Sequence, residues 1–562
     1  MPPTPRSDRP ALAVLLALLG IWGAWFIYRT SFIVDGRRWF SLFDDAMISM
    51  TYARNLIEGY GFQWARHGQA VEGFTHPLWT LLMIPVNALP VPLQDRSLWI
   101  QLLSLFTLAG TVVAVRRLAI DHFQAGGARH WMPAAVLTAF YHPLAYWALL
   151  GMETGLQALL AVLAIHFALD IAYGGRDRHL ALWIVCAAAF LLRMDMLLLV
   201  IATQCQVLLR GGLGTVRRRS WLLGFAVFLG VSLSWQLFRW VHFHDLLPNT
   251  YYLKLAGVPF AVRLLRGLDV LTVFLRDHLW IVLPTLLGAG VLARRNPRVA
   301  LPSAVFLLYC AYTVYVGGDA WDGDLDVRAN RFVAFAMPLL FVVLNAVLNE
   351  TLSTAREEAR RFAVAAATAV GLMLANGLWL SDKADANWKN FTLTERPRVI
   401  ARHQRVVAQL AAFQRLVRPG ATVAVAWAGI PAYFTDYKLI DILGYNDRVV
   451  ARMPPAVPLT EDDFRAFRPG HIKWNQARLL GEQRPDAFFQ TWGIRRGMSR
   501  IAEALPRHGY QQVKGFWVRK DSPYVSPSPS GRGGQGVRSR RVRRPSQQRH
   551  PGAPSTSRSS PP

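Results

Sequence analysis

Long apolar runs separated by short basic clusters set the reading of this chain. The first run covers residues 11–28, behind Arg6 and Arg9. A secretory signal has an apolar stretch of about 7–15 residues and a small-residue cleavage site. This run is longer and ends in Trp22, Trp25, Phe26 and Tyr28. It reads as an uncleaved first span with its N-terminus in the cytoplasm. A span needs about 20 mostly apolar residues. Further candidates are 98–115, 131–149, 156–173, 221–241, 270–293, 301–316, 332–348 and 362–380. The run 180–209 is interrupted by Arg193, Asp195 and Met196 and divides into two short spans, for roughly eleven in all.

Basic residues mark the cytoplasmic ends of spans. Strict alternation puts Arg116/Arg117, Arg176/Arg178, Arg217/Arg218/Arg219, Arg294/Arg295 and Arg356/Arg360/Arg361 on that side, provided that 77–93 does not cross. That segment holds Pro77, Pro85, Pro90 and Pro92. Proline lacks the N–H and breaks spans, so a re-entrant or surface helix is expected. Segments 30–98, 151–154, 193–195, 248–257 and 317–331 then lie outside, with everything after 380. The expected topology crosses the membrane many times, with the C-terminal domain extracytoplasmic.

Composition agrees. Of 562 residues, 53% are hydrophobic and 17% charged, against about 25% charged in soluble domains. Intrinsic disorder of most of the chain, a coiled coil and a disulfide-stapled secreted domain are excluded. Cys186, Cys205 and Cys310 lie in apolar runs and imply no disulfide framework. Of the net charge of +27, eight arginines in residues 525–562 supply +8, and the rest lies largely in short clusters between apolar runs. Nucleic acid is therefore not an expected partner; the bilayer is.

The fold class expected is an all-α polytopic membrane domain followed by a C-terminal extracytoplasmic α/β domain. The multi-span domain covers 1–380 with a large first outer loop, 30–98. Residues 381–525 are polar and mixed, with strand-like runs at 421–426 and 515–519 and a helical stretch at 398–416. Residues 526–562 are rich in Ser, Pro, Gly and Arg and should be disordered. No internal repeat, P-loop or dinucleotide fingerprint is present.

Five polar breaks carry candidate chemistry, and all fall on the outer side of a topology fixed by the arginines alone. The first is Asp44–Asp45, opening an amphipathic helix expected over 44–59 on the membrane surface. Such acids can deprotonate a sugar hydroxyl, hold a metal beside a phosphate, or simply complement a helix dipole. Asp45 shares a face with Ile48 and Tyr52, and Asp44 is turned about 100° away, so Asp45 is preferred as a base. The second is Glu153 at a span end, where capping the next helix competes with function. The third is Arg193 with Asp195, a site residue pair or a structural ion pair. The fourth is Asn249 to Lys254, where Lys254 can meet a phosphate as a point charge while Tyr251 and Tyr252 suit an interfacial belt. The fifth runs from Asp319 through Asp322, Asp324, Asp326 and Arg328 to Arg331. Val327 and Val333 stand where a calcium loop has its glycine and last glutamate, and a solvated acidic loop is the competing reading.

The segment DDAMISMTYARNLIEGYGFQWARHGQAVEGFTHPLWTLL resembles the first-loop signature of GT-C membrane glycosyltransferases. The resemblance is to the group of actinobacterial terminal β-(1→2)-arabinofuranosyltransferases and related flagellar-motor-control proteins. GMETGLQALL, RMD, PNTYYLK, GGDAWDG followed by NRF, IDILGYNDRVVAR and PGHIKWN resemble that group's later motifs, in order, over about residues 11–520. Met194 and Asp195 stand where the group has Pro and Glu. Asn330 replaces a glycine, the stretch from Asp319 to Arg331 is longer, and the basic tail has no counterpart. The resemblance implies a GT-C-like fold and sugar transfer, arabinofuranose among the candidates, from a polyprenyl-phosphate donor to a glycan or glycolipid acceptor. It also implies that the membrane is a bacterial cytoplasmic (inner) one, with transfer on its outer face. It implies Asp44 and Asp45 at the catalytic centre. It implies Arg54, His76, Glu153, Arg193, Asp195, Asn249, Lys254, Asp319, Arg331 and His471 as substrate-binding residues. No cofactor is implied; the acids admit a divalent cation, but nothing in the pattern calls for one. A lipid-linked-substrate transporter and a non-enzymatic assembly or motor-control factor are the alternatives.

Overall fold

The structure, a computed structural model, describes residues 9–66, 68–123, 130–322, 327, 329–353, 355–491 and 499–525. The tail 526–562 and Asp324, Asp326 and Arg328 of the acidic run lie outside these. Helices dominate up to residue 375. They are α1 (Arg9–Thr30), α2 (Asp44–Ile57), α3 (Pro77–Asn87), α4 (Arg96–His122), α5 (Met132–Ala139), α6 (His142–Leu149), α7 (Thr154–Gly174) and α8 (His179–Leu192). After them come α9 (Leu197–Gly211), α10 (Arg219–Phe238), α11 (Asn249–Leu255), α12 (Phe260–Leu292), α13 (Ala300–Val316), α14 (Arg331–Ala334), α15 (Met337–Thr351) and α16 (Glu357–Ala375).

Seven of these, α1, α4, α7, α9, α10, α12 and α13, with short turns extending some, are long and apolar enough to cross a membrane. Large apolar side chains such as Phe106, Leu237, Leu287 and Val291 stand exposed on them, as acyl-chain contact requires. The chain is a multi-pass integral membrane protein. α3, α8 and α15 are apolar but shorter. The 11 residues of α3 reach only about 16 Å, half of a hydrocarbon core of about 30 Å. Two expected spans are broken. The run 131–149 divides into α5 and α6, each with a proline in its first turn. The run 332–348 divides into α14 and α15, the latter opening on Met337-Pro338. Hydropathy records the apolar run but not these turns.

The polar remainder folds around a sheet. β1 (Phe32–Val34) and β2 (Arg37–Trp39) form a hairpin after α1. Beyond α16 follow α17 (Ala384–Thr392), α18 (Arg398–Gln414), β3 (Thr422–Val425), α19 (Ile430–Phe434), β4 (Lys438–Asp441) and α20 (Arg448–Arg452). β5 (Ala487–Phe488), β6 (Tyr510–Val513) and β7 (Phe516–Arg519) complete a five-stranded sheet, order β4-β3-β5-β7-β6. β3 runs parallel to β4 and β5, and β7 antiparallel to β5 and β6. α18 turns Val399, Ile400, His403, Val406, Val407, Leu410 and Phe413 inward, an i, i+3, i+4, i+7 stripe that packs the sheet domain.

α2 departs from its expected place on the membrane surface. Asp44, Ala46 to Asn55 without interruption, and hence both faces of the helix are buried. One side packs on α3 and the other on α19, so α2 lies between the helical domain and the sheet domain. The sequence shows its acids and its amphipathic spacing, but not the second covering layer.

Candidate active site

Two turns bring the acids together. The Gly317–Gly318 pair ends α13 in the left-handed region, with φ of 80° and 73°. A Cβ on Gly318 would stand 2.7 Å from Asp322 Oδ2 and 2.8 Å from Val270. Arg266, near the start of α12, donates to the carbonyls of Gly317 and Asp319, the latter at 2.7 Å. The turn therefore delivers Asp319 to a fixed place. Eleven residues on, the Asn330 side chain accepts from Phe332 N–H and starts α14, placing Arg331 opposite.

Arg331 is the hub. Its Nη2 lies 3.1 Å from Asp45 Oδ2, and its Nε 2.8 Å from Asp319 Oδ2. The contact with Asp319 is charge to charge, out of line with the N–H. The acids outweigh burial and raise the guanidinium's pKa, so Arg331 is a fixed cation. Asp319 takes part first, then Asp45 and Glu153. A second chain of charges runs beside it. Arg193 grips Asp195 through Nε and Nη2, both at 2.9 Å, and donates from Nη1 to Glu153 Oε1 at 2.6 Å. Glu153 Oε2 is 3.4 Å from His76 Nδ1, and His76 Nε2 is 2.7 Å from Ser49 Oγ on α2. Burial pushes the Glu153 carboxyl up, but His76, Arg193 and Arg331 together hold it at about 2. Burial lowers the pKa of His76.

Lys254, on α11, completes the group. No hydrogen bond or ion pair holds its ammonium among the described residues. Its Nζ lies 5.9 Å from the centre of the Tyr445 ring. Burial and the nearby Arg331 lower its pKa against the pull of Asp319 and Asp45. Lys254, Arg193, Asp195, Asp319 and Arg331 line one cavity of about 300 Å³. Apart from Thr75 and Thr250, its remaining wall is apolar or aromatic, including Leu247, Tyr251, Leu255, Tyr312, Tyr315 and Phe332. The lining thus combines three cations and two carboxylates with apolar and aromatic surface. Asp45 is joined to the cavity through Arg331, and His471 stands behind Lys254, its ring facing Trp321 and Tyr445.

The adjacent acids part company. Asp44 Oδ1 accepts from Ile430 N–H at 2.8 Å and Oδ2 from Gly429 N–H at 3.2 Å. It clamps the start of α19 and lies away from the cavity. Burial raises its pKa to about 7 against those two hydrogen bonds. Two residues expected to bind substrate also make structural ties. Arg54 meets Glu58 at 2.7 Å, Asp436 at 2.8 Å and the Tyr433 carbonyl at 2.6 Å. Asn249 donates to the carbonyls of Gly444 and Tyr445. Residues with no individual signal in the sequence are Ser49, which orients His76, and Tyr445, which faces both Lys254 and His471. Tyr445 lies in the IDILGYNDRVVAR segment, which carries the resemblance without a role for this residue.

Residues 396–530 match the family model of a domain of unknown function (DUF8728). No curated protein matches the chain. Among solved structures, the chain is similar to ArnT from Cupriavidus metallidurans in the apo state. The two are 12% identical over 85% of this chain and 92% of that one, with a TM-score of 0.48. It is likewise similar to ArnT from the same organism bound to undecaprenyl phosphate, 11% identical over 77% and 86%, with a TM-score of 0.48.

Proposed function

We propose that this chain is an integral membrane glycosyltransferase that uses a polyprenyl-phosphate sugar as donor on the outer face of the cytoplasmic membrane. The observation that carries this reading is Lys254. Its half-buried ammonium has no hydrogen-bond or ion-pair partner among the described residues, and it faces a cavity lined by Arg193, Arg331 and two carboxylates together with apolar and aromatic side chains. A lipid phosphate suits both kinds of lining: its oxygens meet Lys254 and Arg331, and its hydrocarbon meets the tyrosines and leucines. The ordered motifs that resemble arabinofuranosyltransferases supply the sugar class. The acceptor is a cell-envelope glycan or glycolipid hydroxyl.

In this mechanism the acceptor oxygen attacks the sugar C1. Asp45 takes the hydroxyl proton, the C1–O bond to phosphate breaks, and the bonding pair leaves on the phosphate. Arg331 links the two events, since it touches Asp45 and faces the cavity where the new charge develops. Fixed cations aimed at developing charge are a strong source of rate. Glu153, Arg193 and His76 hold the cavity wall in shape.

Asp45→Asn tests the assignment. Removing a general base costs about 10²–10⁴-fold in rate, and Arg331 keeps Asp319 as a partner, so the protein should remain folded. Transfer of labelled sugar from polyprenyl phosphate is measured in membranes, with Asp44→Asn alongside. Near-normal transfer by Asp45→Asn sinks the mechanism. A loss confined to Asp44→Asn would exchange the two roles.

A further inference from the structure

The far end of α7 carries a second cluster, unrelated to the cavity. His166 and Asp170 stand one turn apart on α7, and His122 ends α4 beside them. One ligand atom from each residue lies within 4.8 Å of the other two. His122 Nε2 is 3.4 Å from Asp170 Oδ1, and His166 Nε2 is 3.7 Å from Asp170 Oδ2. The two imidazoles meet edge to face, with centroids 5.1 Å apart. The His122 and Asp170 side chains are only 4% and 3% exposed. Yet His122 Nε2 and Asp170 Oδ2 make no hydrogen bond among the described residues. Buried polar atoms are nearly always satisfied, and one shared partner would satisfy both.

We propose that His122, His166 and Asp170 bind one zinc-class divalent cation. Two imidazole nitrogens and a carboxylate oxygen are a zinc donor set, with bonds of about 2.0–2.2 Å. A tetrahedral centre then places neighbouring ligand atoms roughly 3.3–3.5 Å apart. The two His–Asp pairs stand at 3.4 and 3.7 Å through different oxygens of Asp170, with a spread of up to 4.8 Å across the cluster, so the side chains close in around the ion. Asp121 Oδ2, 3.7 Å from His166 Nε2, or a water fills the fourth position. Arg176 Nη1 touches Asp170 Oδ1 at 3.2 Å and orients the carboxylate, as outer partners of metal ligands do. Arg178 Nε, 3.9 Å from Oδ2 on a half-exposed side chain, is the competing occupant and swings out when the metal enters. The cation staples α4 to α7. Glu153 precedes α7, 17 residues before Asp170 or about 25 Å along the axis, so the metal steadies the helix that follows Glu153 without reaching the cavity.

The test uses the full chain purified in detergent, stripped with a chelator and returned to zinc. One equivalent should survive desalting, and the melting temperature should rise with free zinc. Cobalt in its place should give ligand-field absorption without a thiolate charge-transfer band, which separates this site from the free cysteines Cys186, Cys205 and Cys310. His166→Ala and Asp170→Asn should each lose the equivalent and the thermal shift. His166 is partly open, so its variant is the safer fold. His508→Ala, in the sheet domain, should keep both. No retained metal in the wild type, a thiolate band, or full retention by His166→Ala would each overturn the site and leave Asp170 as an arginine-clamped structural acid.

Discussion

At the scale of single residues, the proposed chemistry turns on the separation of Asp44 from Asp45 and on the isolation of Lys254. Lys254→Ala should weaken donor binding far more than acceptor use. A hydrogen bond to a charged group contributes about 1.5–3 kcal/mol, or roughly 10- to 150-fold in apparent donor affinity. Equal loss for donor and acceptor in a purified variant would return Lys254 to packing. Its pH dependence has a definite sign. The pKa of Lys254 in the free protein is lowered from an ordinary 10.5, and a bound phosphate raises it again. Donor affinity is therefore full below the free-protein pKa and falls as pH rises through it, a decline that Lys254→Arg should remove. Much of this was legible beforehand. Helical geometry alone turned Asp45 and Asp44 about 100° apart, and Arg193, Glu153 and Lys254 stood out as ions beside apolar runs. The partner of Asp44 was not legible: Ile430 lies 386 positions away, and neither Gly429 nor Ile430 offers a side chain to suggest it.

At the scale of elements, the joint between α2 and α19 is the tightest feature near the site. A Cβ on Gly429 would fall 2.0 Å from the Asp44 carbonyl oxygen, so the two backbones touch because this position has no side chain. Gly429→Ala should push α19 off α2. Overpacking typically costs 1–3 kcal/mol, seen as a lower melting temperature with protease cleavage entering the sheet domain first. An unchanged melting curve would mean the joint has slack. Which elements the sequence disclosed follows from their physics. α18 and the runs at β3 and β7 advertise themselves by periodicity and β-branched residues. β5 is only two residues long and owes its pairing partly to β3, more than sixty positions earlier, and β4 begins on a lysine and ends on an aspartate that mask its period. The breaks between α5 and α6 and between α14 and α15 hide inside uniformly apolar stretches. There Pro143 and Pro338 were the only marks, and proline in the first turn starts a helix as readily as it ends one.

At the scale of the whole molecule, the proposed orientation rests on the five basic clusters, and the sheet domain supplies Pro469 to the cavity wall. A reporter that fluoresces only in the cytoplasm, fused after Asp521, should stay dark in intact cells; bright cells would invert the orientation and remove the outer-face mechanism. The burial of α2 between two layers then has a consequence for how the protein is made. α2 emerges early in synthesis, while the strand-flanking turn that caps Asp44 emerges 386 residues later. At about 5–20 residues per second, Asp44 waits roughly 20–80 s for its partners, and Asp45 waits for Arg331 through most of that time. The nascent chain therefore carries a half-built centre that neither holds its acids in place nor closes around lipid. Under the proposed mechanism, competence arrives only once the sheet domain is translated, so a ribosome that stalls between α2 and α19 leaves an inserted protein whose proposed site is unassembled.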